Sequence, residues 1–412
     1  MGLAELPMIA ILGGLALYVV LGGADFGAAI WQLAAGRGPE AEELREHAHE
    51  SMSPVWEANH VWLIFVLTVM WTAYPEAFGS LASTLCVPLF IAGIGIVIRG
   101  AAYALRTGTS TPEQVRVIDM ASAASSVLTP FALGAAVGGI ASGRVPVGNA
   151  AGDLITSWLN PTSIAVGVLA VVMAAYMAAV FLAADAERRD KPDLERAYRR
   201  RALGAGALAG AVAVAGLVVL RSDARGLFDE LLTGAGLPGV IVSVLAGLGT
   251  VALLATGRLE AARYTSALAV AGIIAGWALA QEPVILPGLT VREAAAPHDA
   301  LVAVLVAIAV GGALLFPSLV LLFRLALGGR LGGGVAEPAA APPDPRGLIA
   351  ASRAGLLARG AGACLVAGIG LLTIADGGLP HALGVIALTG FILLGFFAAV
   401  PALLPEADSP AP

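Results

Sequence analysis

Long apolar runs recur along the chain between short polar stretches, and most match the length a helix needs to cross a bilayer, about 17 to 25 residues. They cover Met8–Trp31, Ser53–Tyr74, Phe78–Leu105, Ile118–Ser142 and Ser163–Ala184. After a charged loop come Leu203–Leu220, Val240–Ala255, Ala267–Ala280 and Ala300–Leu325. A Gly/Pro/Ala-rich stretch, GGRLGGGVAEPAAAPPDP, comes next, and two further runs lie beyond it, Gly360–Ala375 and His381–Leu404. No run alternates at period two, and lipid cannot satisfy open backbone groups, so each run predicts a helix. The expected fold is all-α and polytopic, with about nine core transmembrane helices and two extra C-terminal ones. Three regions follow: a transmembrane core over 1–327, a cytoplasmic linker over 328–359, and a helical hairpin with a short acidic tail over 360–412.

Composition agrees. Hydrophobic residues make up 58% and charged residues 13%, and soluble domains carry about twice that charged share. Cys86 and Cys364 both lie in apolar runs and form no metal or disulfide spacing, so they read as small core residues. Met1 to Pro7 has no Lys or Arg, and the first run contains Asp25 and leads into more protein, which argues against a cleaved signal. The formal net charge of −6 matters less than where the charges lie. Arg37, Arg45, Arg106, Arg116, the cluster from Arg188 to Arg201, Arg258, Arg263 and Arg324 fall in alternate loops on one side; only Arg144, Arg221, Arg225 and Arg292 fall on the other. The positive-inside rule then places the N-terminus outside and the basic loops in the cytoplasm of a cell membrane. The cluster ERRDKPDLERAYRRR reads as a topology anchor with interleaved acids, and no nucleic acid is expected as a partner.

Charges inside the runs carry the chemistry. With this topology Asp25 lies near the inner end of the first helix, Glu57 one turn into the second with His60 a turn deeper, Arg99 toward the inner end of the third, and Asp119 at the start of the fourth. These groups converge on the cytoplasmic half of the membrane, and lone charges there are costly, so they should face the bundle interior and pair. Glu57 and His60 share a helix face. Glu-x-x-His resembles half of a di-iron site, but no second pair exists, so no metal is expected. Two readings stand: a cytoplasmic proton-uptake path, or a structural Glu57–Arg99 ion pair with His60 as a core histidine.

Other polar positions are weaker candidates. His47 and His49, in REHAHES, read as part of a solvated charged loop, and His298 with Asp299 as the outer start of a helix. Trp31, Trp56, Trp62, Trp71 and Trp158 fall mostly near membrane boundaries, as in an aromatic belt.

The stretches GGADFGAAIW, PVWEANHVWLIFVLTVMW through IRGAAYALR, and ILPGLTVREAAAPHDALVAVLVAIAVG with LLFPSLVLLFRL resemble subunit II of the cytochrome bd-type quinol oxidase family, over roughly Met1 to Leu327. The resemblance implies four-helix bundles plus a peripheral helix, and a partner subunit I that carries haems b and d and oxidises quinol. This chain would bind no haem directly. A structural quinone or lipid between the helices, surrounding membrane lipids and a small accessory subunit are further expectations of the family. By position, Asp25 corresponds to the family's first-helix aspartate, Glu57 to the acid of its Trp-acid-x-Asn motif with Trp56 and Asn59 beside it, and Arg99 to the arginine ending its third helix. In the family these acids look like part of a proton entry path for reduction of oxygen to water, so Asp25, Glu57 and His60 are the expected proton carriers; Arg99, Trp56, Asn59 and Asp119 are the expected structural or charge-pairing residues. Many members carry another acid where this chain has Gly22, and His60 stands where others have Gln or Glu. The alternatives are a proton-coupled secondary transporter and a purely structural membrane scaffold.

Overall fold

The computed structural model describes residues 2–36, 38–52, 56–106, 112–327, 356–357, 359–368, 371 and 378–403; the side chains of Trp56, Glu57 and Ala58 lie outside the described set. By contacts the chain divides into two units, Met1–Leu327 and Gly328–Pro412. The first runs α1 (Leu6–Ala34), α2 (Pro39–Met52), α3 (Trp56–Ala73), α4 (Pro75–Thr84), α5 (Cys86–Arg106), α6 (Pro112–Ala141), α7 (Pro161–Arg188), α8 (Pro192–Asp223), α9 (Arg225–Leu232), α10 (Leu237–Ala255) and α11 (Leu259–Gln281). A two-stranded antiparallel hairpin, β1 (Val284–Leu286) and β2 (Leu289–Thr290), then leads to α12 (His298–Leu327). Among the described residues seven helices are long and apolar enough to cross a membrane, or eight if the bent α4–α5 pair is one span.

Proline within the first two positions opens α1, α4, α7, α8 and α10, where its missing N–H would have lacked a partner anyway. Asn160 caps α7, its Oδ1 accepting the Ser163 N–H at 2.9 Å. The helices pack as two groups of four. The first holds α1, α3, α5 and α6, the second α7, α8, α10 and α11, and they meet where α1 and α6 lie on α7; α12 sits to the side against α3 and α1. The seam is close because its residues are small: a Cβ on Gly27 would fall 1.9 Å from the Ala174 carbonyl oxygen.

Cross-links sort the helix ends onto two faces. At the amino face, where α1 begins, Arg292 bonds Glu5 at 2.7 Å, the Tyr74 hydroxyl donates to the Ala4 carbonyl, and Asp223 receives Arg144 and the Thr162 hydroxyl. At the opposite, basic face, Tyr198 donates to the Leu44 carbonyl, Arg189 pairs with Glu50, and Arg199 donates to the Ala255 carbonyl. The loops separated by charge in the sequence are the loops separated in space.

Several expectations need correction. The run Phe78–Leu105 is not one continuous helix: α4 and α5 are bent by 81° at their junction. Pro88 has no N–H to return to the Thr84 carbonyl, which leaves the bend at Leu85 one helical hydrogen bond short. The cluster ERRDKPDLERAYRRR is no extended loop, because α8 begins at Pro192 and carries Arg196 to Arg201 in its first turns. His47 is no solvated residue: α2 is a helix whose Ala41, Leu44, His47, Ala48 and Met52 are buried. Trp62 is buried with Tyr18, Phe26 and Ala174 rather than placed in a belt.

In the second unit, residues 359–368 are helical and pack against the helix Gly378–Leu403, with Gly368 against Leu388 and Gly390 against the Cys364 sulfur. The linker residues 328–355 and the tail 404–412 lie outside the described set.

Candidate functional site

Three helices of the first bundle meet at one arginine. Arg99 of α5 is 1% exposed and Asp25 of α1 is fully buried. Arg99 Nε donates to Asp25 Oδ2 and Nη2 to Asp25 Oδ1, each at 2.7 Å, while Nη2 also reaches the Asp25 carbonyl at 2.6 Å. Its Nη1 donates to Ser126 Oγ of α6 at 2.6 Å, and Ser126 in turn donates to the Ser122 carbonyl. This is the planar fork that arginine offers a carboxylate, with a hydroxyl and a carbonyl taking two more of its five donors.

Aromatic rings wrap the pair. The guanidinium lies 5.4 Å from the Phe26 ring centre. His60 of α3, 9% exposed, sits 5.7 Å from Phe26 and 6.1 Å from Tyr18 by ring centres. Its neighbour Asn59 donates from Nδ2 to the Leu21 carbonyl at 3.2 Å, tying α3 to α1 beside the pair. A helix rises about 1.5 Å per residue, so Glu57 lies about one turn from His60 toward the basic face; the side chains of Glu57 and Trp56 are outside the described residues. Asp119 is half-buried on α6, about two turns nearer the basic face than Ser126.

The structure therefore gathers Asp25, Arg99, Asn59 and His60 into one buried region, with Asp119 farther along α6 toward the basic face. Sequence reading missed Ser126, Phe26 and Tyr18. A signal for Ser126 was present in SAASSVLT, where Ser122, Ser125, Ser126 and Thr129 fall at helical spacing on one face of an otherwise apolar helix.

A second polar cluster holds the basic face. His47 Nε2 lies 3.1 Å from the Leu182 carbonyl and 4.0 Å from Asp185, whose carboxylate also receives Ser51, Arg188 and Arg189. Burial pushes the His47 imidazole below its ordinary pKa, against the opposing pull of the Leu182 carbonyl and Asp185. Among the described residues, no three His, Cys, Asp or Glu side chains gather as metal ligands would.

A family model described as cytochrome bd terminal oxidase subunit II matches residues 3–326. The chain belongs to that family. It is 26% identical to a chain in the structure of bd oxidase from Geobacillus thermodenitrificans, with a TM-score of 0.62 over 79% of this chain and 99% of that one. A putative cytochrome bd menaquinol oxidase subunit II of Bacillus subtilis (strain 168) is 23% identical over 238 residues, 56% of this chain and 67% of the relative. A cytochrome bd ubiquinol oxidase subunit 2 of the same organism is 29% identical over 84 residues, 20% of this chain and 25% of that protein. The matched region ends at the boundary between the two structural units. The chain is thus a bd-type oxidase subunit with an additional helical unit after the family core.

Proposed function

We propose that this subunit II pairs with a haem-bearing subunit I in a quinol:oxygen oxidoreductase, and that its first bundle admits protons from the cytoplasm for the reduction of oxygen to water. The observation that carries the reading is the buried Asp25–Arg99 pair with His60 alongside it, on the basic-face side of the bundle. Haems b and d of the partner would supply electron transfer and oxygen chemistry. This chain's residues handle protons. Glu57, the second residue of α3 at its basic-face end, receives a proton; His60, about one turn deeper, passes it inward. Asp25 holds a compensating negative charge beside the route while Arg99 fixes its orientation, and each carboxylate oxygen keeps a lone pair beyond the arginine bonds. The rings of Phe26, Tyr18 and Trp62 shield the route from lipid. By the positive-inside rule the basic face is cytoplasmic, which gives the route the correct supply side.

The test is a complex purified through a tag on this chain, wild type against Glu57→Gln, with a reduced-minus-oxidised spectrum and quinol-dependent oxygen uptake. Co-purified haem with turnover lost in the variant supports both parts of the reading. Absence of haem from the wild-type preparation would overturn it and favour a transporter. A second reading, that the polar groups are structural, is favoured by the way one arginine ties α1, α5 and α6 together. It predicts that Glu57→Gln lowers the yield of assembled complex and leaves turnover per haem unchanged.

A further inference from the structure

We propose that the Tyr18 phenol hydroxyl is a further proton relay of this bundle, joined through bound water to the His60 and Asp25 region; the inference rests on the proton-path reading above. Tyr18 is 5% exposed, and its hydroxyl has no hydrogen-bond partner among the described residues. A phenylalanine would fill the same aromatic cluster without stripping a hydroxyl of its hydration. The cluster therefore does not account for the oxygen.

Position supplies the reason. Tyr18, Gly22 and Asp25 stand at i, i+4 and i+7 of α1, on one face. Helical side chains usually lean back toward the N-terminus, whereas the Tyr18 ring lies over Gly22: a Cβ there would come within 3.0 Å of Tyr18 Cε2. The missing side chain at Gly22 thus lets the phenol lean along α1 toward Asp25, on the side where His60 packs at 6.1 Å. An unpartnered hydroxyl that can both donate and accept, buried next to a histidine and an ion pair, is a place where water binds with several polar neighbours.

The step is a relay without redox change. A water that takes up a proton from His60 gives one of its protons to the phenol oxygen, while the phenol O–H bond breaks and its proton passes to the next water inward. Rotation of the hydroxyl resets it, and the phenol is neutral before and after.

The experiment uses the purified complex carrying Tyr18→Phe, beside wild type and Glu57→Gln, and reads haem spectrum, oxygen uptake and the solvent deuterium isotope effect. The variant removes one oxygen atom that has no hydrogen-bond partner among the described residues, so haem content should be retained. Uptake should fall about tenfold, less than the about 10²–10⁴-fold of a positioned acid–base group because water can partly stand in for the lost hydroxyl, with a larger isotope effect than wild type. If Tyr18→Phe matches wild type while Glu57→Gln loses turnover, Tyr18 only packs and this inference falls while the path stands. If both variants match wild type, the path itself fails and takes the inference with it. Loss of haem in Tyr18→Phe would make the hydroxyl structural and also overturn the relay.

Discussion

At the residue scale the Asp25–Arg99 pair sets the terms. Both partners are buried, and removing one leaves the other charge uncompensated, at a cost of about 3–5 kcal/mol. Arg99→Met should therefore lower the melting temperature and the yield of assembled complex. Asp25→Asn should do the same, read as a shift of the unfolding transition in detergent. Replacing the whole pair by apolar residues should cost less than either single change, which a double-mutant cycle would measure. His47 offers a pH test. Its native pKa is depressed, so the unfolded chain binds more protons just below about pH 6.5. Stability present at neutral pH is lost as pH falls through that window, and the loss stops below the depressed native value. Thermal unfolding between pH 7.5 and 5.5 should show a steeper drop for wild type than for His47→Gln. Asp25 and Arg99 were legible because charges in apolar runs stand out. His47 was misread because the polar letters of α2 hid Leu44, Ala48 and Met52, spaced four apart on one face. Tyr18 was not legible, since an aromatic residue in a span needs no explanation until its hydroxyl is found without a partner.

At the element scale, helix existence followed from hydropathy, while ends and breaks followed from backbone chemistry. Pro88 stands just after the α4–α5 bend, and Pro192 starts α8 within the charged cluster; both were visible residues whose effect hydropathy alone does not register. The helix α9 and the β1–β2 hairpin were missed because they are too short to carry a span signal. The α1–α7 seam makes a sharp prediction. Gly27→Leu would drive a side chain into the backbone at Ala174, and overpacking with no room to relax costs about 1–3 kcal/mol or more. The expected outcome is loss of the monodisperse complex peak in size-exclusion chromatography, whereas Gly13→Leu, with open space at its Cβ, should leave the peak unchanged.

At the scale of the whole molecule, charge and geometry agree on two faces but orientation comes from the charge rule. Cysteines placed at exposed Arg196 and Asp153 provide the check, in a background where Cys86 and Cys364 are replaced. A membrane-impermeant thiol reagent on intact cells should label the cysteine at 153 and spare that at 196; the reverse pattern would invert the topology and remove the cytoplasmic supply side of the proton route. The second unit was legible as apolar runs beyond the linker, but its purpose was not, because its few titratable residues, such as Cys364, Asp376 and His381, form no spacing that points to a chemistry.

The clasp at the amino face has a consequence for biosynthesis. Glu5 is held by Arg292, 287 positions later, and the Ala73 carbonyl accepts the Ala296 N–H. Translation proceeds at about 5–20 residues per second, so the amino-face ends of the first helices wait on the order of tens of seconds for the residues that lock them. Membrane insertion of α1 and its final seating are thus separate events, and a ribosome stalled before Arg292 would leave the bundle inserted but unlatched.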